Sequence, residues 1–354
     1  MVRGLLLMAV IAIAVSAALS RAQHSTAAVE DYISSILRRI DYSSVLNLAL
    51  EISSYGSRAP GYEGYYRTLE LIRSTAEQLG LKIYDIKYEA LVPYEDECYV
   101  EIMEPHPVTI PAHSLWPNGV VEPSATPPEG LSGEVVYGGR TPLEELRGVN
   151  ISGKVVLLDF DSGHSWIDLM KMGAVAVVYL PYGVADRYEA YSKFDPVVPL
   201  RFTRVYVESE ADALLKAASR RARVNIRCDC GLRKLKLENL VLEIPGRERP
   251  EEIVALIAHF DAWSVVPAKA SSAEEAVATA LLLKLAEVFS EERPARTIWL
   301  VFVSGHWNGL AGSRKLAEWI LSRSDLASGK RVILAAMGVD ISSDFPGLSL
   351  IYTG

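Results

Sequence analysis

Two histidines and two aspartates stand at the ends of three apolar segments of this 354-residue chain, and imidazole and carboxylate are groups that bind zinc or move protons. Ile253 to Ala258 runs into His259-Phe260-Asp261, Thr297 to Val303 into Ser304-Gly305-His306, and Val332 to Met337 into Gly338-Val339-Asp340. If these segments are strands of one sheet, the four side chains converge on one rim, because ligands in open α/β sheets bind beyond the carboxyl ends of the strands. A carboxylate placed this way also orients a ligating histidine. The competing account is a polar sheet edge whose His and Asp side chains cap loops.

Other polar combinations carry less chemistry. Gly148, Gly153 and Lys154 match the start of a phosphate-binding loop, but Val155 stands where Ser or Thr is required and a strand pattern follows. Gly163-His164-Ser165-Trp166-Ile167 lacks the second glycine of a nucleophile elbow. His106 and His113 sit among prolines, as solvated loop residues do, and Glu274-Glu275 opens a helix, where carboxylates complement the macrodipole. Asn150-Ile151-Ser152 is a sequon, which makes Asn150 a candidate glycosylation site.

The elements that must position the rim are legible as patterns. Tyr65, Leu69, Ile72, Ala76 and Leu79 recur at helical spacing up to Gly80, and Tyr84, Ile86 and Tyr88 then alternate with charged residues as in a half-buried strand. From Asn239 the chain reads strand (Leu240 to Ile244), Pro245-Gly246 turn, strand (Ile253 to Ala258), helix (about Ala273 to Phe289), strand (Thr297 to Val303), helix (about Ser313 to Leu321) and strand (Val332 to Met337). Continuous apolar strands alternating with helices predict an α/β fold with a largely parallel mixed sheet flanked by helices. Between them, prolines and glycines crowd residues 105–139 and short strands then alternate with short helical patterns, which predicts a smaller inserted domain over residues 93–233. Residues 23–92 and 234–354 are its host. Cys98 lies on the way into the insert and Cys228 and Cys230 on the way out, so a bridge from Cys98 to one of the later pair would staple the neck.

Composition narrows the function classes. The chain is 50% apolar and 23% charged, which excludes disorder and collagen-like repetition, and its net charge of −8 is spread without a basic block, so it has no footprint for nucleic acid. Arg3 precedes an apolar run from Gly4 to Leu19, followed by Ser20, Arg21 and Ala22; residues 1–22 read as a signal peptide or N-terminal anchor. The remainder is then extracellular or cell-surface, with membrane contact only through that segment. Three cysteines are too few for a disulfide scaffold.

The stretch from Asn239 to Asp340 resembles the catalytic domain of the zinc aminopeptidase family that includes glutamate carboxypeptidase II and the transferrin receptor. The landmarks are Asn239-Leu240-Val241-Leu242-Glu243-Ile244-Pro245-Gly246, His259-Phe260-Asp261-Ala262-Trp263, Arg296-Thr297-Ile298, Gly309-Leu310-Ala311-Gly312-Ser313 and Val339-Asp340. Ser53 to Gly61 looks like the family's N-terminal lead-in, and the insert, with Ser152 to Leu158 and Gly173 to Val178, resembles a protease-associated domain. The resemblance implies a zinc exopeptidase fold, with His259 and Asp340 as metal ligands and Asp261 supporting His259. It also implies losses. The bridging aspartate falls on Lys269, or near Glu274 if the loop is longer, and two consecutive glutamates, base then ligand, fall on His306 and Trp307. An ammonium does not ligate while protonated, and an indole offers only an N–H. The family's late histidine lies past Gly354, so its two-zinc site is not assembled from these residues. The expectation is a degenerate site that binds peptides or a protein partner with little or no hydrolysis. The alternative is an active aminopeptidase with one zinc on His259, His306 and Asp340, where His306 serves as ligand or base. A homo-oligomer, or a missing C-terminal segment or subunit, is the expected state of assembly.

Overall fold

The computed structural model describes residues 26–103 and 107–341, so the signal or anchor segment 1–22, His106 and the chain end at Gly354 lie outside the described residues. The chain divides into two compact units, one from Met1–Ala90, Leu235–Trp263 and Ser271–Gly354, the other from Leu91–Lys234 and Ser264–Ala270. Among the described residues no helix is long and apolar enough to cross a membrane.

The first unit opens with helices α1 (Thr26–Arg39), α2 (Tyr42–Ser54) and α3 (Glu63–Gln78). The Asp41 carboxylate starts α2 by accepting the Ser43 and Ser44 N–H groups at 3.0 and 3.2 Å, satisfying donors that a helix start leaves orphaned. Gly80, at φ +65°, ends α3 in the left-handed region that glycine takes without strain. Strand β1 (Lys82–Ile102) follows; the alternation at Tyr84 to Tyr88 is only its first part.

In the second unit, β1 pairs antiparallel with β2 (Val108–Pro111), and β3 is the short pair His113–Ser114. His113 is not the solvated loop residue its prolines suggest, because its Nδ1 lies 2.7 Å from Glu95. Then come β4 (Leu131–Gly139), α4 (Pro142–Glu145), β5 (Val155–Asp159), α5 (Ser165–Lys171), β6 (Ala176–Leu180), α6 (Arg187–Ser192), β7 (Thr203–Tyr206) and α7 (Ala211–Ser219). Strands β4, β5, β6 and β7 pair in parallel in that order, and Val155 to Leu158 and Ala176 to Leu180 are fully buried. This is why they read as unbroken apolar runs. Strand β8 (Arg223–Ile244) flanks β4, antiparallel, through residues 223–226.

Cys98 on β1 is bonded to Cys228 on β8, leaving Cys230 as a buried thiol. Asn150 is exposed, and its Oδ1 accepts the Ser152 N–H at 3.1 Å. Ser264–Ala270, which the sequence places with the host domain, packs in the second unit: the Val265 carbonyl accepts the Trp116 N–H at 2.7 Å, and the Lys269 ammonium pairs with Glu208.

Back in the first unit follow β9 (Arg249–His259), α8 (Ala273–Glu291), β10 (Arg296–Val303), α9 (Ala311–Ser322), α10 (Ser324–Ala327) and β11 (Val332–Gly338). The sheet order is β11, β9, β10, β8, with the first two pairings parallel and the last antiparallel, so the sheet is mixed. All eight residues of β10 are buried. On one face Trp299, Val301 and Ile253 pack with Leu316, Trp319 and Ile320 of α9. Helix α8 packs against β9, β10 and α2 and is buried almost all round, which accounts for its weak amphipathic pattern.

A buried carboxyl in the second unit gives a pH signature. Glu122 Oε1 is buried with no hydrogen-bond partner, and burial raises the Glu122 pKa to about 7 against the pull of Arg233. A pKa raised by folding means that its stabilising share is complete below the unfolded value and is lost as pH rises through about 7. Glu122→Gln is expected to raise the thermal midpoint above pH 7 and to leave it unchanged below about pH 4.5, as measured by scanning calorimetry across pH.

Candidate functional site at the rim of the first unit

The parallel register of β9 and β10 sets Val303 opposite His259, so the segment after β10 begins level with the histidine. That segment is pinned from beneath by the fully buried Asn239. Its Oδ1 accepts the Ser304 N–H at 3.0 Å and its Nδ2 donates to the Gly312 carbonyl at 2.8 Å. Tyr88 adds a bond from its hydroxyl to the Ser304 carbonyl at 2.9 Å. Gly312 is required here, since a Cβ would fall 2.0 Å from the Ser304 carbonyl oxygen. The turn between carries three left-handed residues, Gly305, Gly309 and the non-glycine Leu310 at φ +56°, and it presents His306 and Trp307 at the rim.

His259 is buried. Its Nδ1 lies 3.0 Å from the Asp261 carbonyl oxygen and 3.7 Å from the Asp261 carboxylate, and its Nε2 lies 3.9 Å from Asp340 Oδ1. Support by Asp261 therefore comes first through its backbone, while its Oδ2 accepts the His306 N–H at 3.0 Å. Burial opposes the His259 charge, but Asp261 and Asp340 outweigh it and push its pKa up to about 10. The His306 ring stacks on His259 with centroids 4.3 Å apart and planes 19° apart. Burial and the neighbouring His259 hold the His306 pKa below the ordinary range. Trp307 meets the His306 ring edge-on at 5.1 Å and Trp263 at 5.8 Å, giving one continuous aromatic surface. The Asp340 side chain is 77% exposed beside it. The two histidines and two aspartates expected at the rim are thus brought together.

Two residues at the site are given no site role by sequence reading. Arg58 is completely buried. Its Nε donates to the Phe260 carbonyl at 3.2 Å and its Nη2 to the Ser272 carbonyl at 2.7 Å, fixing both ends of the excursion after β9. Its only sequence signal is its place in Ser57-Arg58-Ala59-Pro60-Gly61. Glu275, rather than Glu274, is the carboxyl that turns to the site: its Oε2 accepts the Trp263 N–H at 3.1 Å. Ser272 caps α8 by accepting the Glu275 N–H, the Ser-x-x-Glu spacing of a capping box, yet Glu275 reaches Trp263 instead of completing the box. Burial raises the Glu275 pKa to about 7, above what His259, Trp263 and Arg58 lower.

The donors fall short of a zinc centre. Among the described residues no group of three or more His, Cys, Asp or Glu side chains is gathered to hold a metal ion. His259 and Asp340 supply two donors. With the His306 and His259 planes 19° apart and their centroids 4.3 Å apart, lone pairs that lie in the ring planes do not converge on one point, Trp307 has only its N–H, and Lys269 is paired with Glu208 in the second unit.

Two outcomes test this site. Arg58→Met removes a buried cation that faces Asp261 and Glu275 and holds two carbonyls, and is expected to cost about 3–5 kcal/mol in urea unfolding. In protein stripped with chelator, nitrogen-detected NMR is expected to show the His259 ring protonated on both nitrogens at pH 8. Stability from its pairing is complete below about pH 6.5 and is lost as pH rises through about 10.

Comparison with known proteins bears on the fold. Residues 239–342 match the model of peptidase family M28. The chain is 24% identical over 310 residues to carboxypeptidase Q of Bos taurus, covering 80% of this chain and 63% of that one. It is 22% identical over 331 residues to carboxypeptidase Q of Mus musculus, covering 87% and 69%. Among solved structures, the peptidase M28 precursor of Shewanella amazonensis superposes with a TM-score of 0.52 at 18% identity, covering 85% of this chain and 71% of that one. A zinc aminopeptidase of Bacillus subtilis gives 0.51 at 15% identity, covering 80% and 65%. The chain spans just under two thirds of the bovine relative's length. Residues 239–342 are thus similar in sequence to peptidase family M28, and the chain shares the mixed α/β fold of that family's solved aminopeptidases.

Proposed function

We propose that this chain is an exported M28-like protein whose rim binds peptides or a protein partner and hydrolyses them slowly or not at all. The observation that carries this reading is the pair His306-Trp307, which stands where the family resemblance implies a glutamate base and a glutamate ligand. Hydrolysis needs an activated water and a group to manage its proton. The indole cannot ligate a metal, and the imidazole that stands in the place of the base is stacked flat on His259; together they do supply a binding surface. Aromatic faces take an apolar side chain, and the exposed Asp340 carboxylate beside them takes a cationic one. Export is supported by the apolar run from Gly4 to Leu19 and by the Cys98–Cys228 disulfide, since such bonds persist in oxidising compartments. The second unit is read as a protease-associated-like insert.

One observation favours the alternative of an active aminopeptidase with a rebuilt zinc site: His259 Nε2 and Asp340 Oδ1 lie 3.9 Å apart, and a shift of about 0.6 Å by the exposed Asp340 side chain would give the roughly 3.3 Å spacing of two donors on a tetrahedral ion bound at about 2.0 Å. It requires the His306 ring to leave its stack.

Zinc content after dialysis, in the parent and in His259→Ala, separates the two. The expected result is no stoichiometric zinc in either protein and no release of N-terminal residues. Peptides with apolar side chains are expected to bind by calorimetry and to weaken about tenfold or more in Trp307→Ala. Zinc near one per chain that disappears in His259→Ala, together with aminopeptidase turnover, overturns the first reading in favour of the second.

A further inference from the structure

Of the six asparagines in the chain, Asn150 alone is followed two residues later by Ser or Thr, and the residue between them is not proline. The other five are also poorly placed to carry an added group. Asn118, Asn225 and Asn239 are buried, Asn308 has its Oδ1 buried, and Asn47 lies within α2. Asn150 is exposed, in the loop between α4 and β5. The asparagine that carries the acceptor triplet is thus also the one that stands in solvent outside a helix.

The loop sorts the three side chains of the triplet. Gly148 and Gly153, at φ +81° and +76°, turn the chain on either side of it. Ile151 is 2% exposed and anchors the middle, whereas Asn150 and Ser152 on its flanks are both exposed. The Asn150 Oδ1 accepts the Ser152 N–H at 3.1 Å, which fixes the amide with its NH2 end on the other side. Neither the Asn150 Nδ2 nor the Ser152 hydroxyl has a hydrogen-bond partner among the described residues. A groove of about 960 Å³ beside the triplet, lined by Tyr137, Leu146, Val149, Glu145 and Lys154 among others, leaves room for the first sugars.

We propose that Asn150 carries an N-linked glycan. The co-reactant is an oligosaccharide held on a lipid through phosphate. In the transfer, the Asn150 Nδ2 exchanges one hydrogen for a bond to the anomeric carbon of the sugar. The bond from that carbon to the phosphate breaks, the phosphate leaves with the electron pair, and the proton goes to solvent; nothing is oxidised or reduced. Transfer reads the triplet as linear sequence, so it needs nothing from residues beyond those described. The inference rests on the reading that the chain is exported, which the Cys98–Cys228 disulfide in the same unit supports. It is independent of what the rim binds.

Mass spectrometry of the chain purified from the cells that encode it, with secreted and surface fractions separated from the cytosol, tests it. Trypsin cuts after Arg147 and Lys154, so the triplet is released in one peptide of residues 148–154. In the outer fractions that peptide is expected to be heavier by an oligosaccharide, and electron-transfer fragmentation to place the added mass on Asn150. Asn150→Gln and Ser152→Ala are each expected to abolish the addition, and Ser152→Thr, which keeps the hydroxyl, to retain it. An exported chain whose peptide is unmodified overturns the proposal and leaves export standing. Added mass on Ser152 also overturns it, in favour of an O-linked sugar. A chain found only in the cytosol overturns export and the glycan together.

Discussion

The rim depends on one constraint, the register in which β9 lies between β10 and β11. Parallel pairing sets His259 level with Val303 on one side, and Ile257 level with Gly338 on the other, where the Val339 N–H extends the ladder to the Ile257 carbonyl at 2.7 Å. A slip of one residue would turn every side chain of a strand to the opposite face. The apolar cover on both faces of β9 and β10 forbids that slip, because it would carry buried residues such as Leu256 and Phe302 into the wrong layer. The ends of three strands are thus held level by packing that has nothing to do with the rim's chemistry.

The second determinant is how buried charge is balanced. Asp261 is completely buried and Glu275 largely so, and carboxylates in that position need positive partners. Here the partners are side chains of the chain itself: Arg58 beneath the rim and His259 within it. The balance leaves polar atoms over. Arg58 Nη1, Asp261 Oδ1, Trp307 Nε1 and Asn308 Oδ1 are buried with no hydrogen-bond partner among the described residues, two donors and two acceptors. Unsatisfied groups at this density are costly in a core and are common where a bound molecule or water completes the set.

Strain is placed at the same spot. Leu310 holds a left-handed backbone at the start of α9, next to Gly309 in the same region, and Leu310 is itself exposed. Asn239, Tyr88 and the close approach at Gly312 hold the base of this turn so that its tip can present His306 and Trp307.

The local patterns already determined the strands, their apolar continuity and the polar residues that end them, because a strand buried on both faces must be apolar throughout and its first polar residues mark where cover stops. His259, His306 and Asp340 were legible for that reason, and so was the mixed sheet flanked by helices. The patterns did not determine which distant groups meet. Arg58 lies 202 residues from the Phe260 carbonyl it holds, and nothing local distinguishes a buried guanidinium from a solvated one. Glu275 carries a capping-box signal that its tertiary contact with Trp263 overrides. The choice of Cys228 over Cys230, the pairing of Lys269 with Glu208 and the flat stack of His306 on His259 likewise follow from where side chains point once sheets and helices are packed. One-dimensional periodicity records which face of an element is covered; only the assembled layers decide what covers it.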